Sequence, residues 1–202
     1  MIETLVFLTD RFPFGTGEDF IANEIEYMKM ACKRIFVVPV NARDYTSCRI
    51  SEDEKVHIWR GNFRVSKIKR VINAPMLFFD KNVKDDYKFL QTHGNLNIST
   101  LELLLYFTEE YNRTTRNVAD WISSQIDSNA EITIYSYWLY NTAYVACKLR
   151  SQLNVKKTVS RGHGFDIYLE RNRNNYLPHR NFIIDNLDYI LPISDNGSCK
   201  GS

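Results

Sequence analysis

The chain has 202 residues, 44% of them hydrophobic and 25% charged, with 26 Lys and Arg against 24 Asp and Glu for a formal charge of +2. That length suits one large domain with a full core and is short for two. The near balance of charge leaves no footprint for a nucleic-acid backbone, and no run approaches the about 18 apolar residues of a membrane span. The first ten residues are apolar but short and carry Glu3, so they read as a strand and not as a signal peptide. Basic clusters at residues 64–70 and 161–180 read first as solvated faces, and second as contacts for an anionic membrane surface.

Residues 4–8 form an apolar strand and residues 9–17 a loop. From Glu18 the apolar positions Phe20, Ile21, Ile25, Met28 and Ala31 recur near the helical period, which predicts a helix to about Cys32. Residues 34–40 are a second strand of buried type, and residues 56–59 a third after an acidic, polar linker. Residues 64–90 have the weakest pattern, one or two helices broken near Pro75. Residues 97–100 offer an N-cap to a long helix over 101–126, with Leu104, Leu105, Val118, Trp121 and Ile122 on its buried face. A strand over 131–135, a helix over 143–153, a strand over 156–160, a helix over 180–186 and a strand over 189–193 complete the series. Strands alternating with helices imply a Rossmann-like, doubly wound α/β domain with a mainly parallel sheet, expected as a single domain over 1–202. Asp195 reads as the N-cap of a helix that has barely begun, so the sequence is expected to be the front half of a longer protein.

The four cysteines, Cys32, Cys48, Cys147 and Cys199, include no closely spaced pair and read as reduced thiols of a cytosolic protein. His57, His93 and His179 lack ligand spacing to them, so no metal site is predicted.

Three loops follow strands and carry unusual residues. Ser160-Arg161-Gly162-His163-Gly164-Phe165-Asp166 sits at the carboxyl end of its strand, the edge where open α/β sheets bind ligands. The two glycines leave His163 accessible and free the backbone to take positive φ. Arg161 is suited to a phosphate or carboxylate, and Asp166 to sugar hydroxyls. A strand-to-loop turn with a locally bonded histidine is the competing reading. The first loop, Phe12-Pro13-Phe14-Gly15-Thr16-Gly17-Glu18, allows close backbone approach by an anion, or else is a plain βα turn. It is no dinucleotide fingerprint: position 20 is Phe, and the second strand ends in Val40-Asn41 without an acid for a ribose. Tyr135-Ser136-Tyr137-Trp138 follows the fourth strand, and its aromatic rings suit the apolar faces of sugars or a helix-capping cluster.

Together these segments resemble the family 4 glycosyltransferases, retaining enzymes of the GT-B fold that build bacterial surface polysaccharides. The resemblance is carried by Pro13-Phe14-Gly15-Thr16-Gly17-Glu18-Asp19-Phe20 with Asn23-Glu24-Ile25, by Tyr135-Ser136-Tyr137-Trp138, and by Ser160 through Tyr168 with Glu170-Arg171. Leu187-Asp188 to Ser194, with Asn196-Gly197, extends it. It implies the N-terminal, acceptor-side half of a GT-B enzyme, cytoplasmic or peripheral at the inner membrane face, with the donor-binding C-terminal domain missing. Glu18/Glu26 and Glu102/Glu110 have the spacing of that domain's paired glutamates but lack its glycine-rich context. The implied ligands are a nucleotide-sugar donor and a saccharide or lipid-linked acceptor, with no further cofactor and no nucleic acid. The implied roles are His163 as the catalytic residue and Gly15, Thr16, Gly17, Tyr137, Trp138, Arg161, Gly164 and Asp166 as substrate-binding residues. Thr16 departs from the glycine that many relatives carry. Such a half-enzyme is expected to be inactive alone. The alternative is a non-catalytic Rossmann-like module that binds a sugar or nucleotide.

Overall fold

A computed structural model describes residues 1–61 and 76–193. Its strands are β1 (Ile2–Thr9), β2 (Cys32–Pro39), β3 (Val56–Ile58), β4 (Ile132–Ser136), β5 (Val155–Gly162) and β6 (Tyr189–Pro192). All pair in parallel in one sheet, in the order β3-β2-β1-β4-β5-β6. That is the order of a doubly wound dinucleotide-type fold, and the expectation of a Rossmann-like α/β domain holds. The order reverses between β1 and β4. The chain leaves these two neighbours in opposite directions, so the loops above their carboxyl ends part and leave a crevice.

Alternating side chains of the central strands feed two cores. On one face Val6, Leu8, Phe36, Val38, Ile132 and Ile134 pack under three helices, α3 (Ile98–Ser123), α4 (Asn141–Leu149) and α6 (Arg180–Asn186). On the other face Leu5, Phe7, Ile35, Val37, Val56 and Ile58 pack against Ile21 and Ile25 of α1 (Ile21–Ala31) and against Phe12 and Phe14 of the first loop. A third cluster joins Val83 and Leu90 of α2 (Lys81–Thr92) to Leu104 of α3 and to Tyr176. The outer edge is less covered: Tyr189 and Leu191 of β6, and Ile193 just after it, are exposed.

Helix boundaries differ from the sequence reading where a side chain has other work. The helix predicted from Glu18 starts at Ile21, because Glu18 takes a left-handed φ of 55°. α1 then runs into β2 with no intervening residue, and β2 begins at Cys32, two residues earlier than predicted. The long helix α3 starts at Ile98 behind Asn97, whose side chain accepts from the Thr100 N–H while the Thr100 hydroxyl accepts from the Asn97 N–H. Leu104, Val118 and Ile122 are buried on it as predicted. Leu105 and Trp121 are only partly buried, and Phe107 and Tyr111 take the central places. The predicted break near Pro75 and the residues from Ser194 onward lie outside the described residues. After β5 the chain makes a one-turn helix α5 (Gly164–Ile167) and two single 3-10 turns, none of which the sequence pattern suggested. Among the described residues no helix is long and apolar enough to cross a membrane. Cys32, Cys48 and Cys147 are free thiols, and burial pushes the Cys147 thiol up to about 12.

Candidate functional site

A groove of about 630 Å³ opens over the carboxyl ends of β1 and β4, at the point where the strand order reverses. The loop after β1 contributes Asp10, Arg11, Thr16, Gly17 and Glu18, and the turn after β2 contributes Asn41. From the β4–α4 turn come Trp138, Tyr140 and Asn141, and Phe165 and Asp166 enter from α5. A second groove of about 400 Å³ lies beside it, shares Arg11, Asn41 and Tyr111, and is lined also by Gly15 and Arg43.

Polar groups on the groove floor are joined side chain to side chain. The Asp10 Oδ1 accepts from Nδ2 of Asn41 at 2.6 Å and of Asn141 at 3.3 Å. The Tyr111 hydroxyl donates to Asn41 Oδ1 at 2.9 Å and accepts from Asn141 Nδ2 at 3.1 Å. Burial pushes the Tyr111 hydroxyl up to about 12, so it stays a neutral donor at ordinary pH. Four residues from four segments of the chain are thereby locked in one network of contacts, and Trp138, Tyr140 and Phe165 add aromatic surface to the lining.

The first loop is held from within. Gly15 and Gly17 take φ of 66° and 84°, conformations that a side chain would strain. Their turn brings Glu18 back over the end of β1. The Glu18 Oε2 accepts from the N–H groups of Arg11 and Phe12, each at 2.8 Å. Its Oε1 accepts from the N–H of Asp10 at 3.1 Å and from the Trp138 indole at 2.6 Å. Trp138 in turn lies against His163, with ring centroids 4.2 Å apart. A continuous line of contacts therefore runs from the first loop through the β4 turn to the histidine motif.

The predicted site residues separate into two groups. Thr16, Gly17, Trp138 and Asp166 line the main groove and Gly15 the adjoining one. The three loops after β1, β4 and β5 thus meet on one edge of the sheet. His163 is not among the groove-lining residues; its side chain is 14% exposed and packs against the rings of Trp138 and Tyr137, which also touch each other. Tyr137 is 3% exposed and belongs to the core under α1. Its hydroxyl accepts from Arg161 Nη1 at 2.7 Å, and the same nitrogen pairs with Glu24 at 2.7 Å. Burial first, and then the Glu24 carboxylate, push the Tyr137 hydroxyl up to about 12. Arg161 is thus engaged on the α1 side of the sheet.

Asp166 lines the groove but its carboxylate is fully buried. Oδ2 accepts from the Leu139 N–H at 2.7 Å and Oδ1 from the His163 N–H at 2.5 Å, so it ties the β4 turn to the start of α5. The glycines flanking His163 serve space rather than positive φ. A Cβ at Gly164 would run into the Arg171 guanidinium, and one at Gly162 would press on the Ile167 side chain.

Sequence reasoning passed over Asp10, Asn41, Tyr111, Tyr140, Asn141 and Phe165. Asp10 and Asn41 are polar residues just past strand ends, which was a usable signal, and Asn141 opens α4 after the β4 turn. Tyr111 lies mid-helix among similar apolar positions and offered none. Among the described residues no cluster of His, Cys, Asp and Glu could hold a metal ion. No protein family matches the chain, and no curated protein or solved structure does either.

Proposed function

We propose that the chain is the acceptor-side domain of a retaining GT-B-type glycosyltransferase, working in the cytoplasm or at the inner membrane face. It would move a sugar from a nucleotide diphosphate sugar to a lipid-linked or growing surface saccharide. The lining of the switch-point groove carries this reading: Trp138, Tyr140 and Phe165 stand beside Asp10, Asn41 and Asn141. Sugars present apolar ring faces and rims of hydroxyls, and this pairing of aromatic surface with fixed amide and carboxylate groups matches both. On this reading the donor diphosphate approaches the Gly15-Thr16-Gly17 turn from a second domain. His163 hydrogen-bonds the donor sugar or stabilises charge at the reacting carbon, and cations of the second domain stabilise the leaving phosphate.

The test is His163→Ala in the full-length enzyme, assayed for sugar transfer. A fall in kcat on the order of 10², with thermal stability held, is the expected result for one lost transition-state contact. Unchanged turnover overturns the role of His163. A second reading, a module that binds a sugar or nucleotide without chemistry, is favoured by the shielding of His163 and by the internal bonds of Asp166 and Arg161. Under it a saccharide still perturbs Trp138, but no variant of the full-length protein transfers sugar.

A further inference from the structure

We propose that Glu18 is a specificity-determining residue: its carboxylate fills a ready-made anion seat in the groove wall, so that an anionic group finds no donors there and the groove beyond the glycine turn takes the uncharged hydroxyls of an acceptor. The proposal rests on the reading of the groove as a saccharide site. The seat consists of three successive backbone N–H groups, those of Asp10, Arg11 and Phe12, and the indole N–H of Trp138. Successive N–H groups turned into one concavity are the arrangement that holds phosphate and carboxylate groups. Here each oxygen of one carboxylate takes two of the four donors, at 2.6 to 3.1 Å, so the seat is saturated.

Glu18 reaches the seat by adopting a φ of 55°, a region that residues other than glycine seldom enter. Two glycines precede it at positions 15 and 17, yet a glutamate stands at the third left-handed position. The rest of the lining also disfavours a second anion. Asp10 also lines the groove, and Arg11, the cation among the lining residues, pairs with it at 3.4 Å. A phosphate taking this seat would have to displace a tethered carboxylate, whose effective concentration is on the order of millimolar or higher. A hydroxyl-rich ligand has no such competitor, since it meets the amides of Asn41 and Asn141 and the aromatic faces instead.

Two variants vacate the seat in different ways. Glu18→Gly keeps the positive φ without strain and empties the seat. Glu18→Gln keeps the size and removes the charge. Inorganic pyrophosphate is titrated into each folded protein, and the indole N–H resonance of Trp138 is followed by NMR. Glu18→Gly is expected to bind pyrophosphate at least tenfold more tightly than the parent chain, with the Trp138 N–H shifting in proportion to binding. Glu18→Gln is expected to fall between the two. Adding Trp138→Phe to Glu18→Gly should remove a several-fold part of the gain. Equal affinity in the parent and Glu18→Gly overturns the proposal, as does a gain that leaves the Trp138 N–H unmoved. If Glu18→Gly does not fold, Glu18→Gln decides alone, and parent-like affinity in it is the refuting result. The probe contains no sugar, so failure here is distinct from failure of the saccharide reading, which is registered by titrating neutral oligosaccharides into the parent chain.

Discussion

Acidification from pH 7 should weaken the fold through His179. The side chain is fully buried and its backbone takes a φ of 58° at the start of α6. Nε2 lies 2.7 Å from the Thr108 hydroxyl, which gives its own hydrogen to the Leu104 carbonyl at 2.7 Å, so Nε2 is the protonated nitrogen of a neutral ring. Nδ1 has no hydrogen-bond partner and stands 4.0 Å from the Asp86 carboxylate. Burial pulls the imidazole from 6.5 down to about 4, with Asp80 opposing that change and Lys148 adding to it. A neutral form favoured in the native state contributes stability that is complete above pH 6.5 and is lost as the pH falls toward 4. At about 1.36 kcal/mol per pH unit, this loss comes to about 3 kcal/mol, a large part of a typical domain's margin. Asp86 acts in the opposite sense. Burial raises its carboxyl, so its contribution is greatest in strong acid and fades as the pH rises through the raised value. Urea unfolding at intervals from pH 7 to pH 4, for the parent and for His179→Asn, separates the two. Asparagine tolerates the left-handed backbone but does not titrate in this range. The parent should lose about 3 kcal/mol relative to the variant's slope across this window. Parallel pH profiles for the two proteins would refute the assignment.

Two further substitutions test the packing and the caps. Phe107 sits at the centre of the helix-side core, with ring contacts to Tyr111, Tyr140, Tyr144 and His179. Phe107→Ala should cost about 3–5 kcal/mol in chemical denaturation, and a loss under about 1 kcal/mol would mean that the aromatic cluster repacks. Asn97→Ala removes the side-chain half of the reciprocal cap on α3 and should cost about 1 kcal/mol, read from the same unfolding curves.

Strands and their parallel pairing were legible because the buried runs are β-branched and the intervening helices keep the 3.6-residue period. The convergence of the Gly15 loop, Trp138 and the His163 motif was legible for a related reason: parallel strands put every following loop on one edge. What the residues do within those loops was not. Arg161 looked available for an anion, yet Glu24 lies 137 positions earlier in the sequence and only the tertiary fold brings it to 2.7 Å. Asp166 looked available for hydroxyls, but the N–H of Leu139, from another turn, takes its oxygen. Glu18 had the look of a first-turn acid at a helix start. Its real partners are backbone groups six to eight positions back and an indole 120 positions on. Side-chain type indicates what bonds are possible, whereas long-range pairing decides which are made.

The strand order also has a consequence for how the protein is made. β1 pairs on one side with β2, which follows soon after, but on the other side with β4, where Thr4 meets Ile132. During synthesis the first three strands and α1 can assemble early, and β1 then keeps one row of backbone groups unpaired while the 74 residues from Ile58 to Ile132 are added. At about 5–20 residues per second that interval lasts on the order of ten seconds. An apolar strand with an open edge is a template for wrong partners throughout that time. The nascent half-sheet is therefore the stage at which a chaperone would matter most, and slowing translation before Ile132 should raise the aggregated fraction more than slowing it afterward.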